Sequence, residues 1–165
     1  MTRWLLLENP QVSAEDTVAA IRAALPLPWG SAVIVSATQQ WRPLSMRIPA
    51  HYRAERRQAL REIWTEQAES GRSRLEQLTA LLRPEVEVVD TRFTWGDPVA
   101  EAHRLARALR AGMIIFPVPA GRELLTRWPR SVARRLAQDA PCSVLLARAA
   151  NRRTQTVEQP IAAAA

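Results

Sequence analysis

Short apolar runs alternate with amphipathic stretches along the chain, and that alternation suggests the layout. Trp4-Leu5-Leu6-Leu7 is a continuous apolar run of the kind that marks a strand buried on both faces. It stops at Glu8-Asn9-Pro10. Ser13-Ala14-Glu15-Asp16 then opens a helix with acids in its first turn, where the helix dipole favours them. Val18, Ile21 and Leu25 follow at helical spacing, and Pro26 and Pro28 close the helix. Ala32-Val33-Ile34-Val35 predicts a second buried strand, rich in β-branched residues. Residues 38–50, with Pro43 and Pro49, read as an irregular loop. From about Tyr52 to Leu82 the pattern predicts a long amphipathic helix. Its apolar stripe is Leu60, Ile63, Trp64, Gly71, Leu75, Leu78 and Leu82, with Arg and Glu on the other side and Gly71 as the point for a bend. After Pro84, Val86, Val88 and Val89 predict a third strand reaching about Phe93, with Glu85 and Glu87 on one face as polar protection of a sheet edge.

Gly96-Asp97-Pro98 is a loop-to-helix signal: Asp97 caps and Pro98 takes the first helical position. Val99, Ala102, Ala106 and Leu109 form the inward stripe, and Ala111-Gly112 ends the helix. Met113 to Phe116 is the fourth strand, 117–130 a loop rich in Pro, Gly and Arg. Ser131 is expected to cap a short helix that buries Val132, Leu136 and Ala140. Ser143 to Ala147 is the fifth strand. Strands alternating with helices imply a parallel sheet with right-handed crossovers and helices on both faces. Such sheets bind ligands beyond the carboxyl ends of their strands. The candidate loops are therefore Glu8–Val12 and Pro117–Ser131.

Length and composition narrow the class without naming a function. A chain of 165 residues, 47% apolar and 24% charged, fits one α/β domain over 1–150, with 151–165 expected to be a disordered tail. No apolar run approaches the length that spans a bilayer, and no signal peptide is legible, so a cytoplasmic location is expected. A single cysteine, Cys142, excludes an internal disulfide and reads as a buried thiol. With only His51 and His103 beside it, no zinc set is expected. The formal charge is +7 and all 23 basic residues are arginine. The excess arises in one stretch: residues 104–135 hold eight Arg against Glu123 alone. The second candidate loop lies inside that stretch, which favours an anionic ligand, with Arg122, Arg127 and Arg130 as candidate anion-binding residues.

The chain resembles the universal stress proteins over roughly 3–148. The residues that carry the likeness are Gly96-Asp97-Pro98, the run Ala111-Gly112-Met113-Ile114-Ile115, and Ser131-Val132-Ala133 followed by Ala140-Pro141-Cys142-Ser143-Val144-Leu145-Leu146. The resemblance implies an adenine-nucleotide-hydrolase-like, Rossmann-like α/β domain with strand order 3-2-1-4-5. It also implies a homodimer built through the last strand, with Ser143, Val144, Leu145, Leu146 and Ala147 as interface candidates. Nucleotide-binding members carry Gly-x-x-Gly, nine residues, then Gly and Ser or Thr, so that backbone N–H groups and a helix N-terminus hold the phosphates. Here those glycine positions are Pro117, Ala120 and Arg130, and only Ser131 matches. The family's acidic residue on the adenine side falls at Glu8. Glu8, Ala120, Arg130 and Ser131 are thus the cofactor-site candidates of a degenerate loop.

No Gly-x-Ser-x-Gly elbow, metal set or redox motif appears, and no enzyme activity is expected. The expected function is that of a universal stress protein-like, non-enzymatic regulatory protein acting on itself as a homodimer and on a protein partner such as a transporter or regulator. It is expected to bind no cofactor in the usual way. A switch sensing ATP, AMP or a small anion is the alternative, and non-specific nucleic-acid binding through Arg104, Arg107, Arg110, Arg134 and Arg135 the third reading. Trp41 and Trp128, both in loops, are candidate partner-surface residues.

Overall fold

Backbone pairing joins five strands into one parallel sheet. The computed structural model describes residues 3–26, 30–38, 52–86, 88–120 and 129–150. The strands are β1 (Arg3–Leu7), β2 (Ser31–Thr38), β3 (Val88–Trp95), β4 (Met113–Val118) and β5 (Ser143–Arg148). They are crossed by α1 (Ala14–Ala24), α2 (Arg53–Leu82), α3 (Pro98–Leu109) and α4 (Pro129–Gln138). The strand order is β3-β2-β1-β4-β5, every pair parallel. Strand β1 lies at the centre, with Leu5 beside Val33 on one side and Ile114 on the other.

Both faces of β1 are covered, which is why its apolar run does not alternate. Trp4 and Leu6 pack with Val18 and Ile21 of α1 and with Leu75, Leu78 and Leu82 of α2. Leu5 and Leu7 point the other way, against Val99, Ala102 and Leu105 of α3 and Val132 and Leu136 of α4. Ser13 caps α1, its Oγ accepting the Asp16 N–H at 3.0 Å, as the sequence suggested.

Several boundaries differ from the sequence pattern, each for a physical reason. Strand β3 starts at Val88, so Val86 packs in the core before the strand and Glu85 sits in the preceding turn, where Arg22 donates to it. The helix before β4 ends at Leu109. Its left-handed terminal residue is Arg110 (φ 51°), not Gly112, and the Arg110 and Ala111 N–H groups close onto Ala106 and Arg107 carbonyls. Pro117 belongs to β4 rather than to a loop: it stands beside Ala147, past the last residue at which β1 pairs, so its missing N–H breaks no ladder on that side. Pro129 takes the first helical position of α4, where a missing N–H costs nothing, and Ser131 lies inside the first turn instead of capping it.

Gly71 marks a close approach and not a break in α2, which is continuous over 30 residues. A Cβ there would lie 2.5 Å from a Phe93 ring carbon and 3.2 Å from Ser36 Oγ. Gly71→Ala is therefore expected to lower stability by about 1–2 kcal/mol in urea unfolding, the overpacking outweighing the gain in helix propensity. Adding Phe93→Leu should return most of that loss; an unchanged midpoint in the single variant would mean that the ring yields freely.

Candidate functional site

The carboxyl ends of β1 and β2 open into a cavity of about 520 Å³, walled by α2 on one side and by the starts of α3 and α4 on the other. Its size is that of a small-molecule site. Glu8 lies at its floor, directly after β1, with the backbone N–H bonded to Val35 O at 2.8 Å. The Glu8 carboxylate is buried. Ser36 Oγ, from β2, donates to Oε2 at 3.1 Å, and Arg74, from α2, pairs with Oε1 through Nε. The same guanidinium donates from Nη2 to Asn9 O at 3.1 Å and to Val12 O at 2.7 Å. One side chain thus binds a buried carboxylate and two carbonyls of the β1–α1 turn.

Asn9 builds the next part of the floor. It is fully buried, donating from Nδ2 to Pro117 O at 2.9 Å and accepting the Gln11 N–H on Oδ1 at 3.0 Å. It therefore ties the turn after β1 to the end of β4, where the sheet's strand order reverses.

The far wall is an ion pair. Arg135 of α4 donates from both terminal nitrogens to Asp97, at 2.8 and 2.9 Å, while Asp97 Oδ1 also accepts the Val99 and Ala100 N–H groups that begin α3. The Arg135 guanidinium, seconded by the Ala100 and Val99 N–H groups and opposed by partial burial, holds the Asp97 carboxyl below its usual range. A lowered folded-state value stabilises the fold above the unfolded value of about 3.9 and is lost as pH falls through the folded value. Asp97→Asn keeps a capping oxygen but loses the charge. It should cost about 0.5–1 kcal/mol at neutral pH, with the gap to the parent closing in chemical unfolding below about pH 4.

The sequence candidates meet mixed placements. Glu8 is in the cavity. Ala120 lies in a bend just past β4, half-buried. Arg130 and Ser131 are in the first turn of α4, whose side chains there fall outside the described residues, as do Arg122, Arg127, Trp41, Trp128, His51, Glu87, residues 39–50 of the predicted loop and the tail 151–165. Of the edge-strand candidates, Ser143 is exposed and Leu146 is 46% exposed. Val144 and Leu145 pack partly against the two core clusters, and Ala147 is fully buried, so its side chain is turned away from any interface. Cys142 is half-buried beside the α3–α4 cluster, and burial pushes its thiol up. His103 is buried between α3 and α4, where its Nε2–H donates to Leu136 O at 3.1 Å. Among the described residues no group of three metal-ligating side chains occurs, and no helix is long and apolar enough to cross a membrane.

Sequence reasoning missed Arg74 and Ser36; it placed Asn9 in a candidate loop without a role and read Arg135 as a nucleic-acid contact and not as the partner of Asp97. Arg74 sits among the Arg and Glu of the helix side opposite the apolar stripe, and one signal was available: it lies one residue before Leu75 of that stripe, at its margin.

The model of the universal stress protein family matches residues 29–148, most of the chain. The chain belongs to the universal stress protein family. Curated proteins offer no match to it. Among solved structures, this family member is similar to the hypothetical protein MJ0577 (TM-score 0.64, 15% identity, 92% of this chain and 99% of that one). It also resembles the universal stress protein UspA from Lactobacillus plantarum (0.53, 14%, 89% and 97%). A third is a universal stress protein family protein from Arabidopsis thaliana with AMP bound (0.54, 14%, 94% and 97%). At these identities the likeness is one of fold, and the neighbours share the Rossmann-like α/β architecture.

Proposed function

We propose that this universal stress protein is a non-enzymatic regulatory binding protein that works as a cytoplasmic homodimer and does not hold ATP through a glycine loop. The observation that carries the reading is Pro117. At the first glycine position of the nucleotide motif, Pro117 is a strand residue with no N–H, and its carbonyl is held by Asn9. A phosphate finds no backbone donor there. Ala120 and Arg130 at the other glycine positions support the same reading, because a Cβ or longer side chain keeps phosphate from close backbone approach. The dimer is inferred from β5, an edge strand carrying an exposed leucine, Leu146, which a second copy of the chain would cover. A protein partner would then meet the dimer on its remaining surface.

The AMP-bound neighbour favours one second reading, a nucleotide- or small-anion-sensing switch in which Arg122, Arg127 and Arg130 replace backbone donors with charged forks. Native mass spectrometry of gently purified protein decides between the two. The expected result is a dimer with no added mass, shifted towards monomer by Leu146→Arg; a retained nucleotide-sized mass would establish the switch instead.

A further inference from the structure

Strand β3 ends the sheet on the side opposite β5, and among the described residues no strand pairs with its outer edge. We propose that this edge is a self-association site: β3 pairs antiparallel with β3 of a second copy of the chain, about a two-fold axis at Thr91. The site is separate from β5 and does not depend on it.

Backbone direction sets which residues can bond outward. The Gly96 N–H donates to Thr38 O of β2 at 3.1 Å, so by strand alternation Asp90, Arg92 and Thr94 also turn their backbone groups to β2. Val89, Thr91, Phe93 and Trp95 turn theirs away from the sheet. Setting Thr91 opposite the partner's Thr91 makes a hydrogen-bonded pair, and Val89 then meets the partner's Phe93 in the same way. Asp90 falls directly across from the partner's Arg92, at the closer, non-hydrogen-bonded spacing, and Arg92 across from the partner's Asp90. Opposite charges therefore meet twice. Sliding the partner by two residues in either direction sets Asp90 against the partner's Asp90, or Arg92 against the partner's Arg92, so one register is selected. Little within the strand opposes the exchange. The Asp90 and Arg92 side chains are 55% and 45% exposed, and their own contact is long, at 3.4 Å. Asp90 Oδ1 also accepts the outward Thr91 N–H at 2.9 Å, a donor that the partner's Thr91 carbonyl would take over. On the α2 face, Val89 and Phe93 are only partly buried against the core, and pairing would cover them further.

Sedimentation velocity tests this in a Leu146→Arg background, where the β5 edge is blocked. A short edge contact is weak, so that protein should dimerise with a Kd on the order of 0.1 mM. Asp90→Arg and Arg92→Asp, each added singly, should weaken self-association at least tenfold, because like charges then face each other across the pair. Mixed in equal amounts, the two variants should form a heterodimer about as tight as the background dimer, since each Arg again meets an Asp. A charge pair that acts only within its own strand gives no such rescue. Thr91→Pro removes an outward N–H and leaves the β2 ladder intact, so it should abolish association. Circular dichroism reports folding for each variant, and the mixing result stands without Thr91→Pro if that chain folds poorly. A background protein still monomeric tenfold above the expected Kd overturns the proposal. So does a mixture that associates no more tightly than its components, or a folded Thr91→Pro that still dimerises. Loss of the wild-type dimer on Leu146→Arg at low concentration bears on the β5 reading alone, a separate result from any of these.

Discussion

Arg74→Ala should unfold at markedly lower urea than the parent, with a loss of about 3 kcal/mol, the scale for removing one partner of a buried ion pair. The asymmetry of the pair is the reason. The Arg74 side chain is 25% exposed but that of Glu8 only 5%, so the deletion leaves a mostly buried carboxylate without its cation. Two carbonyls lose their donor as well, and the helix loses its tie to the β1–α1 turn. Replacing the stranded charge separates these effects. Arg74→Ala/Glu8→Gln should recover roughly half of the loss, since the neutral amide still accepts from Ser36 Oγ. If the double variant is no more stable than Arg74→Ala, the loss lies in helix docking and not in charge burial.

Asn9→Leu is expected to cost about 2 kcal/mol although the side chains share one branched shape, because it leaves the Pro117 carbonyl buried and without a donor. Asn9→Asp should be worse at neutral pH. Its ionised carboxylate would face that carbonyl and stand beside Glu8 with no cation of its own. Lowering the pH protonates the new carboxyl, which then donates an O–H to Pro117 O, so the Asp variant should regain stability towards pH 4 while the Leu variant does not. Chemical unfolding of both variants at pH 7 and pH 4 measures the difference; parallel behaviour would mean that Asn9 acts by packing alone.

Much of the architecture was legible from local pattern. Unbroken apolar runs at Leu5 and Ile114 can be satisfied only between two covered faces, and both strands lie inside the sheet, paired on each side. Asp97-Pro98 and Ser13 set helix starts through hydrogen bonds that span two or three residues, and both caps stand where they were expected. Boundaries failed where a distant partner decides them. Pro117 reads as a loop residue until it is known that β1 stops pairing two residues earlier, and Gly71 reads as a flaw until Phe93 is placed against it.

The candidate site was legible only in part, for the same reason at larger separation. Glu8 was found by its place after the first strand. Its partner lies 66 residues away on α2, and the Asn9 contact to Pro117 spans 108. No spacing rule connects such residues, because the chain between them contributes nothing to the contact. Composition located the positive charge in residues 104–135, but a net charge is blind to pairing: Arg135 is bound to Asp97 and Arg104 to Glu101. The sequence by itself determined the layers and the parallel sheet, since each follows from residue types within a few positions of one another. Only the tertiary structure decided that Glu8 is already occupied, because a carboxylate's partner is set by which helix crosses its strand end.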